Sequence, residues 1–172
     1  IELGCGSMSK TAIILDHLRN SGKRGISFYA LDIEEGFLKM SLSALMQDER
    51  KKDVAPENAI RYAGIIGSYD QGLTSILSEI KGPRVILWLG SSIGNYTREE
   101  AEDLTHRFQK VLDVGDLFLI GIDQRNDPVT VACAYNDSQG VSSQFGLNGL
   151  NHLNELIDNV TFPDRKSTRL NS

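Results

Sequence analysis

The stretch Glu2-Leu3-Gly4-Cys5-Gly6-Ser7 has the composition of a turn that lets a ligand lie against bare main chain. Glycine at positions 4 and 6 allows a sharp turn without a side chain in the way, and a helix that follows would aim its first unpaired N–H groups at the same spot. A nucleoside or a carboxylate suits such a place. Lys10 stands in the first turn of that helix, where the helix dipole does not favour a cation, so an anionic group nearby is the expected reason for it. Ser7 or Ser9 is the expected helix cap. Asp32 closes the run Tyr29-Ala30-Leu31-Asp32, about 26 residues beyond Gly6, and that spacing sets an acceptor-only carboxylate beside a ribose.

The same geometry serves dinucleotides and S-adenosylmethionine. In the dinucleotide fingerprint a third glycine brings helix and strand close together; here that position is Ser9, and Glu2 precedes the loop. Glu-x-Gly-x-Gly therefore favours S-adenosylmethionine over a pyrophosphate. Three later segments fall where parallel sheets collect their ligands. Gly67-Ser68-Tyr69-Asp70 offers Ser68 and Tyr69 for an adenine ring, with Asp70 as a helix cap. In Leu89-Gly90-Ser91-Ser92-Ile93-Gly94-Asn95-Tyr96, Gly90 and Gly94 permit close approach, and Asn95 carries both donors and an acceptor for a substrate ammonium or carboxylate. Tyr135, in Ala134-Tyr135-Asn136-Asp137, can point a hydroxyl into a cleft. Cys5 and Cys133 lack zinc or redox spacing, His17, His106 and His152 are scattered, and no metal site is expected.

These residues need a scaffold, and the hydrophobic pattern supplies one. Short apolar or β-branched runs over Ile1 to Leu3, Ser27 to Asp32, Ile60 to Ile66, Arg84 to Leu89 and Asp116 to Asp123 alternate with helical periods. The helices are expected over Met8 to Asn20, Glu34 to Gln47, Gln71 to Ile80 and Arg98 to Leu112. This is the pattern of an α/β fold with a mostly parallel sheet and flanking helices. The fourth and fifth runs are almost continuously apolar, as in strands covered on both faces. Thr97-Arg98-Glu99-Glu100 has the capping-box form, Gly22 and Gly115 are expected to stop helices, and Asp127-Pro128 opens a helix through Tyr135. After Gly140, Phe145, Leu147, Leu150, Leu153, Leu156 and Ile157 suggest one amphipathic helix. Trp88 reads as core and His152 as part of a polar helix face.

The chain has 172 residues and a formal net charge of −5. That charge argues against a nucleic-acid partner, which would be met by clustered Lys and Arg, and favours a small zwitterionic substrate. No apolar run is long enough to span a bilayer and no signal sequence opens the chain, so a cytoplasmic location and no membrane partner are expected. Oligomeric state is not readable.

Glu2 to Gly6 with Lys10-Thr11, Ala30 to Asp32, Gly67 to Leu73, Leu89 to Asn95, Gly121-Ile122-Asp123 and Ala134 to Asp137 occur in this order, and together they resemble the histidine-specific S-adenosylmethionine-dependent methyltransferases of ergothioneine synthesis. Fungal dimethylallyltryptophan N-methyltransferases are relatives of that family. The resemblance implies a Rossmann-like class I methyltransferase truncated at both ends, with S-adenosyl-L-methionine as cofactor. It implies N-methylation of the α-amine of a free amino acid, most simply histidine, with a prenylated tryptophan as the alternative. Gly4, Gly6, Lys10, Asp32, Ser68 and Tyr69 would line the cofactor site, Gly90, Asn95 and Tyr135 the substrate site. Bacterial members place an acid and an aromatic where this chain has Ser68 and Tyr69. Residues 1–136 are then the cofactor-binding core, 137–164 the start of a substrate lobe, and 165–172 a disordered tail or sequence scar. A nicotinamide-dependent oxidoreductase and a non-catalytic cofactor-binding subunit remain the competing readings.

Overall fold

A computed structural model describes residues 1–52 and 54–157; the tail expected at 165–172 lies outside them. Two compact units are present, Ile1–Asp123 and the chain from Gln124 onward.

In the first unit, five parallel strands are joined by helices: β1 (Glu2–Leu3), α1 (Ser9–Asn20), β2 (Ser27–Asp32), α2 (Glu35–Arg50), β3 (Arg61–Ile66), α3 (Tyr69–Leu77), β4 (Val85–Trp88), α4 (Arg98–Val111) and β5 (Leu117–Ile120). The strand order is β3-β2-β1-β4-β5. Its direction reverses between β1 and β4, where Glu2 pairs with Leu87, and the loops after those two strands consequently diverge to opposite sides and leave a crevice.

Side-chain alternation along β2 divides the interior into two layers. Phe28 and Ala30 join Cys5, Met8, Leu15, Leu38, Leu45 and Ile60 beneath α1 and α2. Leu31 joins Leu3, Leu73, Ile76, Ile86, Trp88, Leu104 and Phe108 beneath α3 and α4. Helix α3 approaches the sheet closely because it carries Gly72 there: a Cβ at that position would lie 1.6 Å from Leu31 Cδ1. At the opposite end of the sheet from the crevice, Arg84 is 6% exposed. It donates to both Asp116 and Asp113 and to the Leu77 carbonyl, and so ties the starts of β4 and β5 to the end of α3.

Several local expectations are corrected. Helix α1 is entered through Met8 at φ 57° with no side-chain cap, while Ser7 and Ser9 hydroxyls meet each other at 3.1 Å. Ser68, not Asp70, caps α3, accepting from the Gln71 N–H; Asp70 pairs instead with Arg107 on α4 at 2.5 Å. Gly22 is left-handed just past α1 as expected, but Gly115 (φ 100°) lies in a separate turn closed by Asp116 N–H to Asp113 O, beyond the end of α4. Strand β5 ends at Ile120, short of Asp123. It is covered on one face only: Leu117 and Leu119 are 63% and 52% exposed because α1 and α2 lie over the other half of the sheet. The capping box at Thr97 and Glu100 forms with both hydrogen bonds.

In the second unit, α5 (Pro128–Tyr135) begins at Asp127, whose carboxylate accepts from the Val129 and Thr130 N–H groups. The amphipathic run after Gly140 forms α6 (Val141–Leu156). Between them the Asp137 carboxylate accepts from the backbone N–H groups of Gln139, Val141 and Ser142, which hold its pKa down at about 2.

Candidate functional site

The crevice at the strand-order reversal is a cleft of about 150 Å³ lined by Glu2, the run Gly4 to Thr11, and Leu89 and Gly90. The β1–α1 loop turns through three left-handed residues in five, Gly4 (φ 63°), Gly6 (φ 52°) and Met8 (φ 57°), of which Met8 alone bears a steric cost for that conformation. Its ends are held by Gly4 N–H to the Leu31 carbonyl and Met8 N–H to the Cys5 carbonyl, at 2.9 and 3.0 Å. The N–H groups of Ser9, Lys10 and Thr11 form the first turn of α1 and have no intrahelical acceptor.

The two glycines differ. Nothing lies within 4 Å of where a Cβ would stand on Gly6, or on Gly90 across the cleft, so both present open main chain. On Gly4 a Cβ would lie 2.5 Å from the Tyr69 hydroxyl. Gly4 lines the cleft all the same, with the Tyr69 hydroxyl standing where a side chain on it would be. Tyr69 reaches this point because its ring packs edge-on against Trp88, centroids 5.5 Å apart.

Asp32, at the end of β2, uses Oδ1 to accept from the Ile33 and Glu34 N–H groups (2.8 and 3.2 Å), and Oδ2 receives the Cys5 thiol at 3.9 Å. The carboxylate thus borders the glycine loop while also holding its own turn. Burial, with the negative charges of Asp32 and Glu2, raises the Cys5 thiol to about 12. A thiol so disfavoured from ionising is no nucleophile at neutral pH.

Glu2 was legible only as a mark preceding the loop, and the structure makes it part of the site. It is 3% exposed, lines the cleft and accepts a 2.5 Å hydrogen bond from Thr11 Oγ1. Burial raises its pKa, opposed by the Thr11 hydrogen bond and by the charges of the Ile1 ammonium and Lys10. Lys10 itself is exposed at the rim.

On the β4 side, Gly90 (φ 87°) and Ser91 (φ 62°) make two successive left-handed steps into a short 3-10 turn over Ser92–Asn95. Asn95 ends that turn, exposed and not itself left-handed. Ser91 Oγ accepts from the Asp123 N–H at 2.7 Å, joining the loops that leave β4 and β5. Tyr135 closes α5 in the second unit and is 79% exposed. The first unit therefore gathers Gly4, Gly6, Lys10 and Gly90 at one cleft, with Asp32 and Tyr69 in contact with its loop through Cys5 and Gly4; Ser68 caps the adjoining helix and Asn95 lies farther along the β4 loop.

Open main chain at Gly6 and Gly90, a helix N-terminus, a buried carboxylate and a rim ammonium fit a nucleoside carrying an amino-acid tail. The family described as histidine-specific methyltransferase, SAM-dependent, matches residues 1–168. The chain is 38% identical over 164 residues to ergothioneine biosynthesis protein 1 of Neurospora crassa, covering 94% of this chain and 18% of that protein. It is 34% identical over 167 residues to the protein of the same name from Schizosaccharomyces pombe, covering 95% of this chain and 21% of the relative. To histidine N-alpha-methyltransferase of Mycobacterium tuberculosis it is 28% identical over 158 residues, covering 92% of this chain and 46% of the relative. The chain thus spans about a fifth of the two fungal relatives and under half of the mycobacterial one.

Proposed function

Since this chain belongs to the histidine-specific, S-adenosylmethionine-dependent methyltransferase family, we propose that it forms the cofactor-binding core of an enzyme that methylates the α-amine of histidine. The observation that carries the reading is the glycine-loop cleft at the β1/β4 reversal, inside the family match and bordered by Asp32. In this reading Gly6 and Lys10 meet the amino-acid end of the cofactor, Asp32 the ribose, and Ser68 and Tyr69 the adenine. Gly4 lines the same cofactor cleft, beside the Tyr69 hydroxyl. Gly90, Asn95 and Tyr135 belong to the substrate.

The cofactor, when bound, supplies an electrophilic methyl group on a sulfonium sulfur. What this chain adds is alignment, and holding two reactants in attack geometry is worth on the order of 7–11 kcal/mol. The open backbone at Gly6 and Gly90 lets both ligands approach main chain, and Asn95 can hold either end of a zwitterion. Below, the buried Trp88 donates from Nε1 to Ser92 Oγ and so tethers the β4 loop to the core.

Transfer of a labelled methyl group by the full-length protein to a panel of free amino acids tests the proposal. Label on histidine is the expected result; label on none of them overturns it. A second test addresses the cleft alone. Asp32→Ala is expected to weaken S-adenosylhomocysteine binding by about 1–3 kcal/mol, the worth of a charge-assisted hydrogen bond. Asp32→Asn keeps an acceptor for the Ile33 and Glu34 N–H groups while removing the charge. Weakened binding at unchanged melting temperature in that variant, measured by calorimetry, would assign the loss to the ligand and not to the turn.

A further inference from the structure

The geometry points to Thr11 as a positioning residue for the cofactor: its hydroxyl holds the Glu2 carboxylate so that Glu2 receives the ammonium of the methionine moiety. This rests on the cofactor reading above. Glu2 lies on the central strand, paired on both sides through Ala30 and Leu87, a place where an ionised group is costly unless a partner compensates it. Thr11 is 0% exposed and donates to Glu2 Oε2 at 2.5 Å. A carboxylate accepts several hydrogen bonds, and one hydroxyl leaves much of that capacity unused. Both residues line the cleft, and so does Lys10.

A buried carboxylate and a rim ammonium on one small cleft match, with signs reversed, the two charges of an α-amino acid. Lys10 would take the carboxylate of the tail and Glu2 its ammonium. Thr11 touches no ligand in this arrangement. Its hydroxyl fixes Oε2 and leaves Oε1 to the newcomer, and its hydrogen bond lowers the pKa of Glu2 against the effect of burial.

The charged and titratable groups around Glu2 are the Ile1 ammonium on its own strand, Lys10 on α1 and the Cys5 thiol in the loop. Only ionised Glu2 attracts an ammonium, so affinity for a tailed nucleoside should fall as pH drops through the Glu2 pKa. Without the Thr11 hydroxyl that fall moves to higher pH. Burial lowers the Ile1 ammonium to about 6, opposed by the Glu2 charge, so the shift is read between wild type and Thr11→Val, which both keep Glu2.

Calorimetric titration of the 172-residue chain with S-adenosylhomocysteine and with 5′-methylthioadenosine, which has no amino-acid tail, tests this between pH 5 and 8. Thr11→Val is expected to weaken S-adenosylhomocysteine about tenfold near pH 6, the loss of one hydrogen bond to a charged group. Its pH profile should shift upward, methylthioadenosine binding should not change, and Thr11→Ser should restore the wild-type curve. Glu2→Gln, which keeps the shape, should flatten the profile and supplies the answer if Thr11→Val does not fold. Equal weakening of both nucleosides, or an unshifted profile, would reduce Thr11 to packing and overturn the inference while leaving the cleft intact. If the wild-type chain bound neither nucleoside, the cofactor reading would fall, and this one with it.

Discussion

Asp116→Ala should be the most damaging single substitution at the base of the sheet, costing about 3–5 kcal/mol, because it leaves Arg84 buried without its main counter-charge. Arg84 and Asp116 side chains are 5% and 2% exposed. Asp116 accepts from the Arg84 backbone N–H and guanidinium and from the Asp113 N–H, so one carboxylate closes the strand entry and the turn before β5 together. The remaining partner, Asp113, is 84% exposed and screened by water, and it cannot substitute. A large fall in the urea midpoint is the expected observation. Its pH dependence is fixed in sign. The Arg84 guanidinium holds the Asp116 pKa at about 2, below the 3.8 of a free side chain. The stability it contributes is full above about pH 4 and is lost as pH falls through 2. The gap between wild type and Asp116→Ala should accordingly narrow through that window in a denaturation series; a constant gap would refute the ion-pair explanation.

Trp88→Ala should cost a comparable amount, about 3–5 kcal/mol, as for other buried aromatic truncations. Trp88 is 1% exposed, with ring centroids of Tyr69, Tyr96, Phe108 and Phe118 between 5.5 and 6.4 Å away. Its Nε1 donates to Ser92 Oγ at 2.7 Å. The effect should therefore exceed stability. Removing the indole frees Tyr69, whose hydroxyl seats on Gly4, and frees the turn that ends at Asn95. Trp88→Phe keeps most of the packing but loses the Ser92 hydrogen bond. Nucleoside binding that survives unweakened in folded Trp88→Ala protein would show that the cleft does not depend on this aromatic layer.

The fold was legible because its signals are local. Strand β2 occurs over the residues expected, since Ser27 to Asp32 sets the apolar and aromatic run Phe28 to Leu31 between two polar ends. The capping box at Thr97 needs only residues three apart. Boundaries failed where a tertiary contact outweighed the local signal. Arg107 draws Asp70 away from capping and leaves Ser68 to do it. The continuous apolar run in β5 reads as buried on both faces, yet the helices that would cover its second face lie over β2 and β3.

Residue types and spacing alone were enough to bring a glycine loop, its following helix and a strand-end carboxylate together: these are consecutive features, and chain geometry gathers them in any parallel sheet. Which side chains face that cleft was decided elsewhere. Gly4 meets the hydroxyl of Tyr69, about 65 residues away in the chain, and Glu2 is turned toward Thr11 on the next element. Such pairings depend on register between separate strands and helices, and a linear pattern of hydrophobicity carries no information about which buried polar atom will meet which.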